Sequence, residues 1–314
     1  MSNEPLGYGH SNHAKEIMQK IVVAEEQIGR RLDVFATEQL PLLSRASAQK
    51  LCGQGLVLVN GLQCKISYKL RVGDEVTIDY DKKQQEEISD IDVPIIYEDD
   101  DCMVINKPVG LLTHSKGAFN PEATVATFLQ QKLPSTAYNA AGREGIVHRL
   151  DRATSGVMIC AKTTAALSWL QKQFAERKVK KTYMAVVQGV MDPEHAVIDM
   201  PIERNPKKPQ TFRVGGNGKS AQTEYLVKQI FTSLDTEFSL LELKPTTGRT
   251  HQLRVHLKQL GHPIVGDTLY EGTTGKRLYL HAFTLEITLP DRTRQTFSAP
   301  LPAEFQACME SARG

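Results

Sequence analysis

The apolar positions change their rhythm near residue 93. Between residues 19 and 80 the pattern is short and mixed. Leu32, Phe35 and Leu40 fit one helix face, and Ala48 and Leu51 fit a second helix, with Ser44 as its N-cap. LVLVNG then alternates as a strand does and turns at Asn60-Gly61, a strong hairpin signal, and VGDEVTI adds another turn and strand. From Val93 onward strands dominate. PIIYED and CMVINKP read as short strands. KTYMAVVQG puts Thr182, Met184 and Val186 on one face and Tyr183, Ala185 and Val187 on the other. TEYLVKQI, FSLLELKP and HAFTLEITLP add more strands. Two helical patterns interrupt them. Residues 164–177 place Ala166, Leu167, Leu170 and Phe174 on one face. RTHQLRVHLKQLG does so with Leu253, Leu257 and Leu260, and ends at Gly261 and Pro263. Near residue 150, Ile146 and Val147, then Val157 to Cys160, read as short buried strands bounded by Gly145 and Gly156. HRLDRATSG is the loop between them.

This order predicts an α+β protein: a mixed, mainly antiparallel sheet with few helices, preceded by a small α+β module. The expected divisions are a tail at 1–18, the module at 19–80, an acidic linker at 81–92 and the large domain at 93–314. A chain of 314 residues has room for about two domains.

Composition narrows the class. No apolar run reaches the length of a membrane span, and the polar start MSNEPLGYGHSNHAKE lacks a signal-type core, so a cytoplasmic protein without a membrane partner is expected. The five cysteines are scattered and form no C-x-x-C pair, which indicates neither a disulfide framework nor a zinc knuckle. The net charge of +2 hides an asymmetry. Residues 79–101 carry ten acidic and two basic residues, whereas residues 143–183 carry nine basic and three acidic ones. The basic block suits a polyanion, with phosphates the obvious choice.

Inside that block sits Asp151, between Arg149 and Arg152. A carboxylate between guanidiniums is expected to stay ionised. It is either a structural ion pair in a turn or a nucleophile or base. Other chemistries lack their residues. His251 and His256 lie about 140° apart around a helix, so they do not share a metal-binding face. No H-E-x-x-H, phosphate loop of the G-x-x-x-x-G-K-[ST] type or G-x-S-x-G elbow is present. The nearest acid in sequence, Glu144, has no evident reason to join Asp151 as the second carboxylate of a glycosidase. Arg254 shares a helix face with His251 and Lys258. Tyr183 is either a half-buried core residue or a flat surface for a base, with a hydroxyl that gives or takes a proton.

KPVGLLTH, GIVHRLDRATSG, KKTYMAVVQG, TTGRTHQLRVHLKQLGHPIVGDTLY and YLHAFTLE, in that order, resemble the RluA/RluD family of RNA pseudouridine synthases over about residues 93–300. RRLD, SRASAQKL, GLVLVNG and LRVGDEV resemble an S4-like RNA-binding domain. Ala153 departs from the family, where a polar residue is commoner. The resemblance implies the pseudouridine synthase fold and conversion of a uridine in RNA to its C-glycoside isomer. It implies that Asp151 is the nucleophile or its equivalent, with attack at C1′, attack at C6 and a glycal route all open. Arg254 is then expected to pair with Asp151, Arg149 to fill the space of the extruded uridine, and Leu280 to pack in the pocket. Tyr183 is expected to stack on the uracil and assist proton removal from C5. His148, Arg152, Arg249 and His251 are the further substrate-binding candidates, and Arg31, Arg45 and Lys50 the RNA-binding ones in the first domain. No cofactor and no metal are expected. The implied partner is RNA, foremost 23S rRNA or pre-ribosomal particles, bound by a monomer. A tRNA enzyme and a non-catalytic S4-like RNA-binding factor are the alternatives.

Overall fold

The computed structural model describes residues 18–39, 45–79, 91–114, 123–133, 145–233 and 235–310. The chain forms two compact units, one on each side of residue 90. In the first, helix α1 (Leu32–Gln39) and helix α2 (Arg45–Gly53) cover a sheet of order β1-β4-β2-β3. These strands are β1 (Met18–Val22), β2 (Val57–Val59), β3 (Leu62–Gln63) and β4 (Glu75–Asp79). Leu32, Phe35 and Ala36 pack with Ala48 and Leu51 against Val57, Val59, Val76 and Ile78. Buried Asp33 accepts from Arg31 Nε at 2.9 Å and from Gln49 Nε2 at 2.7 Å, which ties α1 to α2. Asn60 and Gly61 have φ of 51° and 77°, as the predicted hairpin turn requires. Strand β1 carries no clear alternation and was not anticipated. Leu40, Ser44, the tail to residue 17 and residues 80–90 lie outside the described residues.

The second unit is built on a nine-stranded sheet of order β5-β6-β7-β14-β8-β13-β12-β9, with β15 also paired to β14. Its strands are β5 (Ile95–Glu98), β6 (Cys102–Lys107), β7 (Ser155–Ala161), β8 (Lys180–Gln188), β9 (His195–Asp199), β12 (Gln222–Ser233), β13 (Thr236–Pro245), β14 (Leu280–Thr288) and β15 (Arg294–Ser298). The β7–β14 pairing is parallel and the other ladders of this sheet are antiparallel. The fold is therefore the mixed, mainly antiparallel α+β arrangement read from the sequence. A separate hairpin pairs β10 (Ile202–Arg204) with β11 (Phe212–Val214). The helices are α3 (Val125–Lys132), α4 (Thr164–Ala175), α5 (Gln252–Gln259) and α6 (Ala303–Glu310). Met184 to Val187 of central strand β8 are all buried, so both faces of that strand are covered.

Three local expectations differ from the structure. Ile146 makes only an isolated bridge to Cys160, so Ile146 and Val147 form no strand. Helix α5 starts at Gln252, not at Arg249, because His251 adopts a left-handed φ of 56° as its N-cap. Gly156 lies inside β7 and does not bound it. Its φ is 117°, and a Cβ there would sit 2.1 Å from the Ala282 carbonyl oxygen of β14. Only glycine allows the two backbones to approach so closely. Gly156→Ala is expected to cost about 3 kcal/mol or more in urea unfolding, through backbone strain and displacement of β14. A variant within about 0.5 kcal/mol of the parent, the usual range for a neutral surface change, would show that this contact relaxes freely.

Candidate active site

Asp151 stands in a loop that its neighbours hold by backbone contacts. Thr113 Oγ1 donates to the Leu150 carbonyl at 2.8 Å, and the Gly110 N–H donates to the Arg152 carbonyl at 2.8 Å. The Thr154 N–H closes a turn on the Asp151 carbonyl at 3.0 Å. Beneath the loop lies Lys107, a fully buried lysine at the end of β6. Its ammonium donates to the carbonyls of Leu111 at 2.8 Å, Pro108 at 3.0 Å and Arg152 at 3.4 Å. Burial pulls this ammonium down to about 7, and the charge of Asp151 opposes that fall. The result is a rigid platform that leaves the Asp151 carboxylate one-fifth exposed.

That carboxylate faces a cavity of about 120 Å³. Its walls come from the Asp151 loop, from β8, from the end of β13, from the 247–251 loop and α5, and from the start of β14. The lining includes four cationic side chains, Arg149, Lys181, Arg249 and Arg254, against one carboxylate, Asp151. Gln252 fixes the 247–251 loop. Its Oε1 accepts from Thr247 Oγ1 at 2.7 Å and the Arg249 N–H at 3.0 Å, and its Nε2 donates to the Gln222 carbonyl at 2.9 Å.

Two groups approach Asp151 Oδ2: His251 Nε2 at 3.7 Å and Arg254 Nη1 at 3.8 Å. Neither distance is a close hydrogen bond. Each group is held back by another partner. Arg254 makes a bidentate pair with buried Asp267, at 2.7 Å from Nε and 2.6 Å from Nη2. Burial alone would lower the guanidinium, but the hydrogen bonds and charge of Asp267 outweigh it and raise the group further. The same guanidinium lies 4.9 Å above the Tyr270 ring. The Tyr270 hydroxyl accepts from the Phe212 N–H at 2.9 Å and is hydrogen-bonded to His251 Nδ1 at 2.8 Å. That contact turns the other ring nitrogen, Nε2, toward Asp151.

Strand β8 supplies the opposite wall. Tyr183 and Lys181 are two residues apart, so both point into the cavity. Burial, helped by the charge of Asp151, raises the Tyr183 phenol, so it is neutral across the physiological range. A neutral phenol accepts a proton only if it passes its own onward. Lys181 is pulled down to about 8 by burial.

The pocket thus brings together Asp151, Tyr183, Arg149, Arg249, His251, Arg254 and Leu280. His148 and Arg152 are not among its lining residues. The His148 ring stacks on Phe174 with centroids 4.5 Å apart, and its Nε2 accepts from the Ile159 N–H at 3.2 Å. Burial pushes it down to about 3, with Lys181 adding to the fall, so it is a neutral structural ring. Exposed Arg152 serves the loop through its carbonyl. Arg254 and Asp151 form the expected ion pair, but a long one at 3.8 Å, since the close partner of Arg254 is Asp267. In the first unit, Arg31 is tied to Asp33, Lys50 is exposed on α2, and Arg45 opens α2 with its side chain outside the described residues.

Sequence reasoning missed Lys107, Lys181, Asp267, Tyr270 and Gln252. For Lys107 a signal existed, a lysine closing the apolar run CMVIN. Among the described residues no group of three or more His, Cys, Asp or Glu side chains could hold a metal ion. No helix of the described residues is long and apolar enough to cross a membrane.

Comparison with known proteins identifies the family. A family model described as RNA pseudouridylate synthase matches residues 101–259, and an S4 domain model matches residues 30–76. A Salmonella typhimurium protein named ribosomal large subunit pseudouridine synthase D is 39% identical over 262 residues, covering 82% of this chain and 78% of that one. A Borreliella burgdorferi protein of the same name is 36% identical, covering 88% of this chain and 87% of that one. Among solved structures, human RNA pseudouridylate synthase domain containing 1 superposes with a TM-score of 0.58 at 28% identity, covering 72% of this chain and 96% of that one. The cavity around Asp151 therefore lies in a chain that belongs to the RNA pseudouridylate synthase family and carries an S4 domain ahead of its catalytic unit.

Proposed function

We propose that this pocket isomerises uridines of large-subunit ribosomal RNA, with Asp151 as the catalytic carboxylate. The observation that carries the assignment is the single carboxylate among four cationic side chains in the cavity lining, opposite a tyrosine ring. The names of the Salmonella and Borreliella relatives support the rRNA target. A uridine reaches such a pocket only if it is flipped out of the RNA, and the Tyr183 ring gives the extruded base a surface to stack on. The N1–C1′ bond then breaks with its electron pair staying on the uracil. The base turns, C5 bonds to C1′, the C5 proton leaves and N1 takes up a proton. Atoms balance without any external group. Asp151 stabilises or captures the electron-poor ribose carbon or adds to the base. His251 and Arg254 stand far enough away to leave an oxygen free for that task.

The first domain, residues 19–80, is assigned to RNA binding through Arg31, Arg45 and Lys50. Residues 81–92 are assigned to the linker, and a cytoplasmic monomer is the form we assign. Mapping pseudouridines in ribosomal RNA from cells with and without this protein tests the target. Loss of one or more large-subunit sites is the expected result. An unchanged rRNA map with a missing tRNA site would move the assignment to tRNA.

Tyr183→Phe separates the ring from the hydroxyl. Stacking on an aromatic ring is worth about 1–3 kcal/mol per base and survives the change, so RNA affinity should be unaltered. Release of tritium from C5 should fall by about 10²-fold or more, as expected for loss of a proton-transfer group. RNA containing 5-fluorouridine, in which fluorine blocks that last step in any case, should still be rearranged. Tritium release equal to the parent's would reduce Tyr183 to a stacking surface.

A further inference from the structure

We propose that Lys181 is a catalytic residue of this reaction: its ammonium donates to a carbonyl oxygen of the uracil and carries the negative charge of the departing base. The inference rests on the reading of the Asp151 cavity as the uridine pocket. Lys181 enters that cavity from β8 beside Tyr183, so a base stacked on the tyrosine ring has the ammonium near its edge. Among the described residues its one hydrogen bond goes to the Thr247 carbonyl at 3.2 Å. An ammonium has three donors, so two are left for a ligand.

The other cations of the lining differ from it. Arg254 is neutralised by Asp267, Arg249 Nε donates to the Ser220 carbonyl at 3.0 Å, and Arg149 is exposed to solvent. Lys181 is mostly buried, and no carboxylate of the described residues pairs with it. A desolvated cation without a counter-ion is strongly stabilised by negative charge that appears beside it. In this reaction that charge has a definite place. Heterolysis of N1–C1′ leaves the electron pair on the uracil ring, where it is shared with O2 and O4. For C5 to replace N1 at the ribose, the ring must turn about the axis through N3 and C6. That turn exchanges N1 with C5 and O2 with O4. One donor at the carbonyl edge therefore meets a carbonyl oxygen both before and after the turn, and the flexible lysine stem follows it in between.

The test compares the parent with Lys181→Met, Lys181→Gln and Lys181→Arg on uridine RNA and on 5-fluorouridine RNA. Single-turnover loss of the parent nucleoside is followed in nuclease digests. Fluorine withdraws electrons and stabilises the uracil anion, so the fluorinated base leaves with less help. Lys181→Met and Lys181→Gln should slow the uridine reaction by about 10²–10³-fold, the range for removing one preorganised charge-stabilising donor. The loss on 5-fluorouridine should be at least about tenfold smaller, RNA affinity should stay near the parent's, and Lys181→Arg should recover part of the rate. Equal losses on the two substrates, a loss confined to affinity, or no loss overturns the proposal. Asp151→Asn is run in parallel. If it stays active, the pocket reading itself fails. If it is inactive while the lysine variants match the parent, only the role of Lys181 fails. Should the Met variant not fold, the Gln variant decides.

Discussion

Asp151→Asn is expected to abolish tritium release from RNA carrying 5-tritiated uridine while RNA binding stays close to the parent's. The substitution is nearly isosteric. It keeps the side-chain volume and removes the charge and the nucleophilic oxygen. The loop that presents the residue does not depend on the carboxylate, because it is held by Thr113, Gly110 and Lys107 through the main-chain carbonyls of Leu150 and Arg152. The pocket should therefore keep its shape. The expected loss is at least about 10³-fold, within the range for removal of an essential catalytic group. Affinity should change little, since phosphate contacts supply much of the binding to RNA and Asp151 makes none of them attractive. The neutral amide even removes a negative charge from a basic pocket. Turnover of the Asn variant near that of the parent would sink the assignment. A matching fall in affinity would place Asp151 in binding, with no separate part in the chemistry.

Much of this site was legible because its parts lie on regular elements or in a loop of unusual charge. The alternation of KTYMAVVQG put Tyr183 on a strand face, and the basic flanks of Asp151 marked its loop. The spacing of Leu253, Leu257 and Leu260 gave the helix that carries Arg254, and Leu253 and Leu257 are buried in the main core. What stayed hidden depends on contacts between distant segments. Asp267 lies in IVGDTLY, a turn whose sequence does not say that its acid points inward to Arg254. His148 precedes Arg149 in a basic loop and reads as a ligand for RNA. Only the fold brings Phe174 against it and makes it a packed neutral ring. The same holds for Lys181, which looks like one more surface lysine in KVKKTY until the 247–251 loop, through the Thr247 carbonyl, comes up against it. Strand β1 was missed for a different reason. It is five residues long and owes its form to pairing with β4, not to a pattern of its own.

Replacing Asp267 with alanine should be among the most damaging single changes in the catalytic unit, for two separable reasons. The first is stability. Arg254 and Asp267 form a bidentate pair whose side chains are 6% and 0% exposed. Removing the acid leaves a guanidinium buried beside a void, and breaking a buried pair from one side costs about 3–5 kcal/mol. Urea unfolding reads this directly. Asp267→Asn should cost less, because the amide oxygen still accepts one of the two hydrogen bonds. The second reason is chemical. Asp267 holds Arg254 3.8 Å away from Asp151 Oδ2, near enough to stabilise its charge and too far for a close bond. Without Asp267 the guanidinium is free to close on Asp151, the one other carboxylate of the described residues paired with it. A tight pair would occupy the oxygen that the proposed reaction uses and would make its charge less available to the ribose or the base. Single-turnover rates of folded Asp267→Asn, measured below its unfolding range, should therefore drop about tenfold or more with RNA affinity nearly unchanged. Adding Asp151→Asn to that variant should lower the rate no further than Asp151→Asn alone, since both changes act on the same oxygen. If Asp267→Ala unfolds like the parent and turns over at the parent's rate, Arg254 does not need this partner, and the spacing between Arg254 and Asp151 is set by the helix alone.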